Sequence, residues 1–202
     1  MTLKRRSDCK AIAQWVDYSG AAPIMLPVSL LPYWRGFYLP AAPDDDCPDL
    51  KLSEGAFTIC NDFDFANPKT DYDRACALDG NPAVQKLPVG PGFALVFATE
   101  LDRLTWWAQE RMVVNGGSLP KPDLLRRVEW SDECVWEATE RDHVLMNACE
   151  HGSNPDKGPH FAVRLEPREY VVQWGQYGWA DDDPSMILFR FVDGNRRQTS
   201  CT

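Results

Sequence analysis

The sequence lacks three features that would assign a small protein to a common class: a Cys-x-x-Cys pair, a glycine-rich loop ending in Gly-Lys-Ser/Thr, and a long apolar run. The cysteines number seven, and an odd count without close pairs argues against a disulfide scaffold and for a reducing compartment. Without the glycine-rich loop there is no P-loop phosphate site. No stretch approaches the ~18 apolar residues of a membrane-spanning helix. Basic residues at the N-terminus precede no apolar segment of a signal peptide, so we expect a cytoplasmic protein.

The chain also has fewer basic than acidic residues. The chain has 21 Lys and Arg against 30 Asp and Glu, which gives a net charge of −9. Phosphate backbones and anionic lipids repel such a protein, so we expect neither direct nucleic-acid binding nor membrane binding. A protein partner with a basic surface is the natural complement.

Histidine is scarce, with three residues, which leaves few candidates for metal or nucleophilic chemistry. Metal ligands could be drawn only from this group: Cys134, His143, Cys149, His151 and His160. Structural zinc sites normally show two close ligand pairs, and no second pair accompanies Cys149 and His151, so we expect no metal and no cofactor. Cys149 with His151 or His160 is one conceivable nucleophile–base pair. It supports an alternative function, a small Cys/His-dependent hydrolase or transferase.

What the chain does contain is eight tryptophans and many short apolar stretches between turns. This pattern predicts a mostly β protein of the α+β class, with antiparallel sheets and two or three short helices. We expect a flexible tail at 1–10 and a domain at 11–202, with 118–123 as a joint between two packed halves, 11–117 and 123–202. Strands are predicted at 11–16, 23–26, within 57–65, and at 93–97, 104–107, 111–114, 144–148 and 186–192.

Other local patterns predict turns, helices and a hairpin. Ser29 is a candidate cap for a short helix that Gly36 stops, and 39–56 reads as an exposed loop. Residues 87–92 read as a turn, and 124–136 have loose helical spacing. Alternation in 161–165 and in 170–174, around the turn Glu166-Pro167-Arg168-Glu169, predicts a β-hairpin.

The stretch Thr70–Leu78 predicts a one-turn helix that plugs the β-rich domain. Thr70 can cap the helix start, and Asp73 can complete a short capping box. Small apolar residues then carry the segment toward the core. Asp71 or Asp73 is expected to pair with Arg74 or with a backbone amide.

Three exposed features are candidate contacts for a partner. In Trp106-Trp107 on a strand, one ring points inward and the other outward, and we take Trp107 as the outward one. Two runs of aspartate, at presumed turns, could steer a cationic partner. The predicted contacts are therefore Asp44, Asp45, Asp46, Trp107, Asp181, Asp182 and Asp183.

Three blocks of the sequence, QWVDYSGAAPIMLPVSLLPYWRG, TDYDRACAL followed by LPVGPGFALVF, and LTWW, resemble the immunity protein 21 family of bacterial polymorphic toxin systems. The chain departs from the family pattern at Ala21-Ala22 and Pro91. The resemblance implies a mostly β protein that binds a cognate toxin domain and blocks it, protecting the producing cell and its kin. Our hypothesis is a non-catalytic immunity protein that acts by stoichiometric occlusion. The motif residues then have structural roles: Trp15, Ser19, Gly20, Trp34, Asp71, Tyr72, Asp73, Arg74 and Cys76. A general protein-interaction module without a toxin partner is a further alternative.

Overall fold

The computed structural model describes residues 22–78, 82–97, 104–108, 111–113, 126, 128–153, 160–177 and 186–194. In this part of the chain there are a 3₁₀ helix, Val28–Tyr33, and one α-helix, α1, Asp71–Cys76. The strands are β1 Pro23–Pro27, β2 Tyr38–Pro40, β3 Leu50–Leu52, β4 Gly55–Ile59, β5 Val84–Val89, β6 Gly92–Phe97, β7 Leu104–Ala108, β8 Arg111–Val113, β9 Glu129–Ala138, β10 Asp142–Asn147, β11 His160–Arg164, β12 Arg168–Tyr177 and β13 Met186–Asp193.

These strands form three sheets. The central sheet has the order β11-β10-β1-β6-β5, the outer sheet β8-β7-β13-β12-β9, and the small sheet β2-β4-β3. The pairings are antiparallel except that of β13 with β7. The predicted class, mostly β with two short helices, is confirmed.

The three inner strands of the central sheet, β10, β1 and β6, are buried on both faces over most of their length. On one face Met25, Leu95 and Leu145 join the core formed with the outer sheet. On the other face Ile24 and Val96 join a second core, which the 3₁₀ helix and α1 cover. Strands with two buried faces need apolar residues at consecutive positions rather than at alternate ones. This is why PIML and ALVF stand out in the sequence as uninterrupted apolar runs.

Residues 39–56 contain β2 and β3 and the start of β4, so the prediction of one exposed loop there is wrong. Two of these strands are three residues long, too short to show alternation. Only Leu50 and Phe57 of the small sheet are buried, and the connections around them are exposed, as the prolines and aspartates indicated.

The helical interpretation of 124–136 is also wrong, because residues 129–138 form β9. Trp136 and Ala138 are buried while Val135 and Glu137 are exposed, which is the period of two of a strand. Apolar spacing over so short a segment fits a helix or a strand equally well, and pairing with β12 decides the outcome here.

The predicted hairpin does not form. β11 pairs with β10 in the central sheet, while β12 lies between β9 and β13 in the outer sheet. The turn between them therefore crosses from one sheet to the other. Both segments alternate because Leu165, Tyr170 and Val172 face the same core from opposite sheets.

The structure corrects the predicted turn at 87–92 and the predicted helix cap at Ser29. Residues 84–89 form β5 and the turn is confined to Gly90 and Pro91; Pro88 is tolerated because β5 is an edge strand. Ser29 caps nothing: the 3₁₀ helix begins after Pro27 without a side-chain cap, and the Ser29 hydroxyl instead donates to Glu140.

Residues 118–123, the tail 1–10 and the strand at 11–16 lie outside the described residues, so these stay predictions. Strands from both sides of 118–123 share the central sheet. Among the described residues, no helix has the length and apolar character that crossing a membrane requires.

Candidate partner-binding surface

Three segments far apart in sequence meet at one place, which we call the motif junction: residues 34–37, 70–77 and 147–152. The Trp34 indole donates to the Ala148 carbonyl at 3.2 Å, and Gly152 N donates to the Trp34 carbonyl at 2.8 Å. Tyr72 N donates to the Gly36 carbonyl at 3.0 Å. Two of the sequence blocks quoted above therefore contact each other through buried backbone groups.

Gly36 allows this close approach. Its φ is +60°, and a Cβ there would lie 2.3 Å from the Cys149 carbonyl oxygen. A glycine is thus required both by the backbone conformation and by the neighbouring strand end.

The predicted capping box is present at the start of α1. Thr70 Oγ1 accepts from Asp73 N at 3.0 Å, and Asp73 Oδ2 accepts from Thr70 N and Lys69 N, each at 3.0 Å. Arg74 pairs with Asp71 at 2.8 Å, and the same carboxylate accepts from Arg35 N. Asp71, Asp73 and Arg74 thus hold the junction together from within.

The candidate pair Cys149 and His151 lacks the features of an activated thiol. Burial, followed by the charge of Glu150, raises the pKa of Cys149 to about 12, whereas a nucleophilic cysteine needs a lowered pKa. Its Sγ donates to Glu150 Oε1 at 3.8 Å. His151 is buried between Tyr38 and Phe57, and its Nδ1 accepts from Ser153 N. Among the described residues no group of three or more His, Cys, Asp or Glu could hold a metal ion.

The first predicted aspartate run lies where it could contact a partner. Asp44 and Asp46 are exposed on the connection between β2 and β3, and Asp45 Oδ1 accepts from Cys47 N at 3.1 Å. The acidic segment, residues 44–64, contains seven Asp or Glu and one Lys, which gives a net charge of −6. A hydrogen bond from Ile59 N lowers the pKa of Asp49 within it, which keeps that carboxylate charged.

Sequence reasoning missed the aromatic residues that follow β4. Phe63 and Phe65 are exposed, and both rings contact Tyr72 of α1. The strand predicted within 57–65 is present as β4 but ends at Ile59, so both phenylalanines lie in the loop that follows it. The signal that could have identified them is two phenylalanines interleaved with Asp62 and Asp64, a mixture unsuited to a buried strand.

The other predicted residues are not brought together by the described part of the molecule. Trp107 belongs to β7, which pairs with β8 and β13 in the outer sheet, but the description there covers the backbone alone. Asp181, Asp182 and Asp183 lie outside the described residues, as do Trp15, Ser19 and Gly20. Cys76 lies half-buried at the end of α1, against the second core.

The model of the family described as Immunity protein 21 matches residues 14–182, well over half of the chain. Comparison with curated proteins and with solved structures gave no match.

Proposed function

Because the chain belongs to the immunity protein 21 family, we propose that it binds a cognate bacterial toxin domain and neutralises it, protecting the producing cell and its kin. The family match carries this proposal. The toxin would come from a polymorphic or secretion-system effector. The protein would act in the cytoplasm, where a delivered toxin reaches its target.

The proposed mechanism is stoichiometric occlusion by surface contact. A stable complex of this kind buries about 1,600 Å² in total. The net charge of −9, and the −6 within residues 44–64, favour a toxin with a basic surface or active site. Opposite charges would speed the encounter between the two proteins, and the increase in rate would fall with salt.

The principal test neutralises the aspartate run. In D44N/D45N/D46N the asparagine at 45 can still accept the bond from Cys47 N, so the loop is preserved. We expect association with the purified toxin domain encoded by the adjacent gene to slow about tenfold at low salt, and its salt dependence to flatten.

The matched control removes the same number of charges from the outer sheet, as E129Q/E137Q/E169Q, at three exposed positions. Its association rate should change by less than about twofold. A wild-type protein that neither binds this toxin nor protects cells from it would overturn the proposed function. Equal effects of the two triple variants would instead refute the role of the acidic segment.

The hydrolase or transferase alternative makes a different prediction. If Cys149 were a nucleophile, C149A would abolish protection while the protein stayed folded. From the raised pKa of this thiol we expect C149A to protect fully. The same experiment would separate an inhibitor from an enzyme.

A further inference from the structure

Two exposed phenylalanines stand on one loop. Phe63 and Phe65 are 45% and 50% exposed, although burying a phenylalanine side chain stabilises a folded chain. Other large apolar residues with comparable exposure, such as Phe93, occur on other elements of the described structure. Here two occur within three residues.

Both rings rest on the same partner. The ring centroid of Phe63 lies 5.0 Å from that of Tyr72, and that of Phe65 lies 6.2 Å from it. The ring centroid of Phe37 also lies near this group, 6.4 Å from that of Tyr72. Tyr72 in turn packs against the second core, so the aromatic group is anchored to the body of the protein.

The loop that carries them, residues 60–69, is held at both ends and in the middle. Cys60 N donates to the Phe37 carbonyl at 2.9 Å, and Lys69 N donates to Asp73 Oδ2 at 3.0 Å. Asp64 Oδ1 accepts from the backbone of residues 66 and 67 at 3.1 and 3.0 Å. The rings are therefore presented in a fixed arrangement, which lowers the entropy cost of binding.

The surroundings of the rings are acidic. Asp62 and Asp64 flank Phe63 in sequence, and the bond from Asn67 N lowers the pKa of Asp64, which keeps it charged. Lys69, the one basic residue of the loop, already pairs with Asp62. Asp49 adds a further carboxylate beside the end of β4, where it accepts from Ile59 N.

We propose that this aromatic loop, residues 60–69, is the anchor on which the toxin docks, through an arginine- or lysine-bearing surface. The inference rests on the proposed function. Guanidinium and ammonium groups bind aromatic faces and carboxylates, and this loop offers both in a rigid arrangement. Within the protein, Arg190 lies 4.0 Å from the ring centroid of Trp130 in the same kind of contact. Phe63 and Phe65 would form the centre of the interface, and the carboxylates its charged edge.

The test compares F63A/F65A with F93A, a control at an exposed phenylalanine on β6. Binding of each purified protein to the toxin domain from the adjacent gene is measured by calorimetry or interferometry. We expect the double variant to lose about 100-fold or more in affinity and F93A to lose less than about threefold. Unchanged melting temperatures would show that the loss is not due to unfolding.

A second variant isolates the charges. Asparagine at position 64 can still accept the bonds from residues 66 and 67, so D62N/D64N removes charge while keeping the turn. We expect it to slow association by about threefold to tenfold at low salt and to leave dissociation nearly unchanged.

The outcomes separate the two proposals. If the wild type does not bind the toxin, the proposed function fails. If it binds and F63A/F65A binds within threefold of it, the anchor is refuted while the function stands. A wild-type dimer that F63A/F65A dissociates, with toxin affinity unchanged, would assign the loop to a second copy of the chain and also refute the anchor.

Discussion

The acidic segment contains two strands of the small sheet, whereas the motif junction is built from segments outside that sheet, and the two regions use polar groups in opposite ways. At the junction, Thr70 and Asp73 are buried and bonded to each other's backbone. In the acidic segment, Asp45 and Asp64 bond their own turns and leave charge facing water. The comparison teaches that the residues by which this chain is recognisable hold its fold, while the surface suited to a partner has no such signature.

The largest expected contrast is between two glycines. G36A places a Cβ 2.3 Å from a backbone oxygen at a φ of +60°, whereas G55A in the small sheet meets nothing closer than 3.9 Å at a φ of +151°. We expect G36A to lower the free energy of unfolding by about 2–4 kcal/mol and G55A by about 1 kcal/mol. Urea denaturation of both variants measures the difference. Equal losses would mean that close packing at the junction contributes nothing beyond backbone conformation.

Lowering the pH should destabilise the protein through two buried histidines, His143 and His151. Burial lowers the pKa of His143, which packs against Trp136, and that of His151 beside the small sheet. The unfolded chain then takes up protons that the folded chain does not, so stability is complete above the unfolded pKa of about 6.5 and is lost as pH falls below it.

At pH 5.5 each histidine can account for at most about 1.4 kcal/mol of that loss. In H143F and in H151F the loss between pH 7.5 and 5.5 should shrink, as urea midpoints would show. Wild-type stability that is flat over this range would contradict the burial argument.

The smallest expected contrast is between two side chains that accept a hydrogen bond from a nearby backbone amide. T70A removes the cap of α1 and should cost about 1 kcal/mol. D45A removes one bond in an exposed loop and should cost less than about 0.5 kcal/mol. Thermal melts of the two variants decide the matter, and a larger cost for D45A would reverse the assignment of structural and surface roles.

Local interactions made much of the fold predictable. The capping box at Thr70 and Asp73 depends on residues three apart, and β1 and β6 are visible because burial on two faces demands consecutive apolar residues. The sequence did not show that β12 pairs in the outer sheet and not with β11. Alternation shows which residues of a strand are buried, but it does not show which strand is its neighbour.

The surface was predictable only in its charge. The run at Asp44–Asp46 is plain from the sequence, but the strand predicted within 57–65 ends at Ile59, and Phe63 and Phe65 lie in the loop after it. Their position in the loop depends on the hydrogen bonds that the Asp64 carboxylate accepts from the backbone. It also depends on contact with the ring of Tyr72, which belongs to α1. Contacts of that kind arise from the folded arrangement and leave no local pattern.

The pairing of β1 with β10 has a consequence for how the protein is made. Met25 pairs with Leu145, 120 positions later in the chain. At about 5–20 residues per second, a ribosome needs roughly 6–24 seconds to add that stretch. Throughout that interval the apolar β1 segment lacks this neighbour, although β6 is available earlier, and its unpaired edge is open to aggregation. The central sheet of a newly made chain is therefore completed only after that interval.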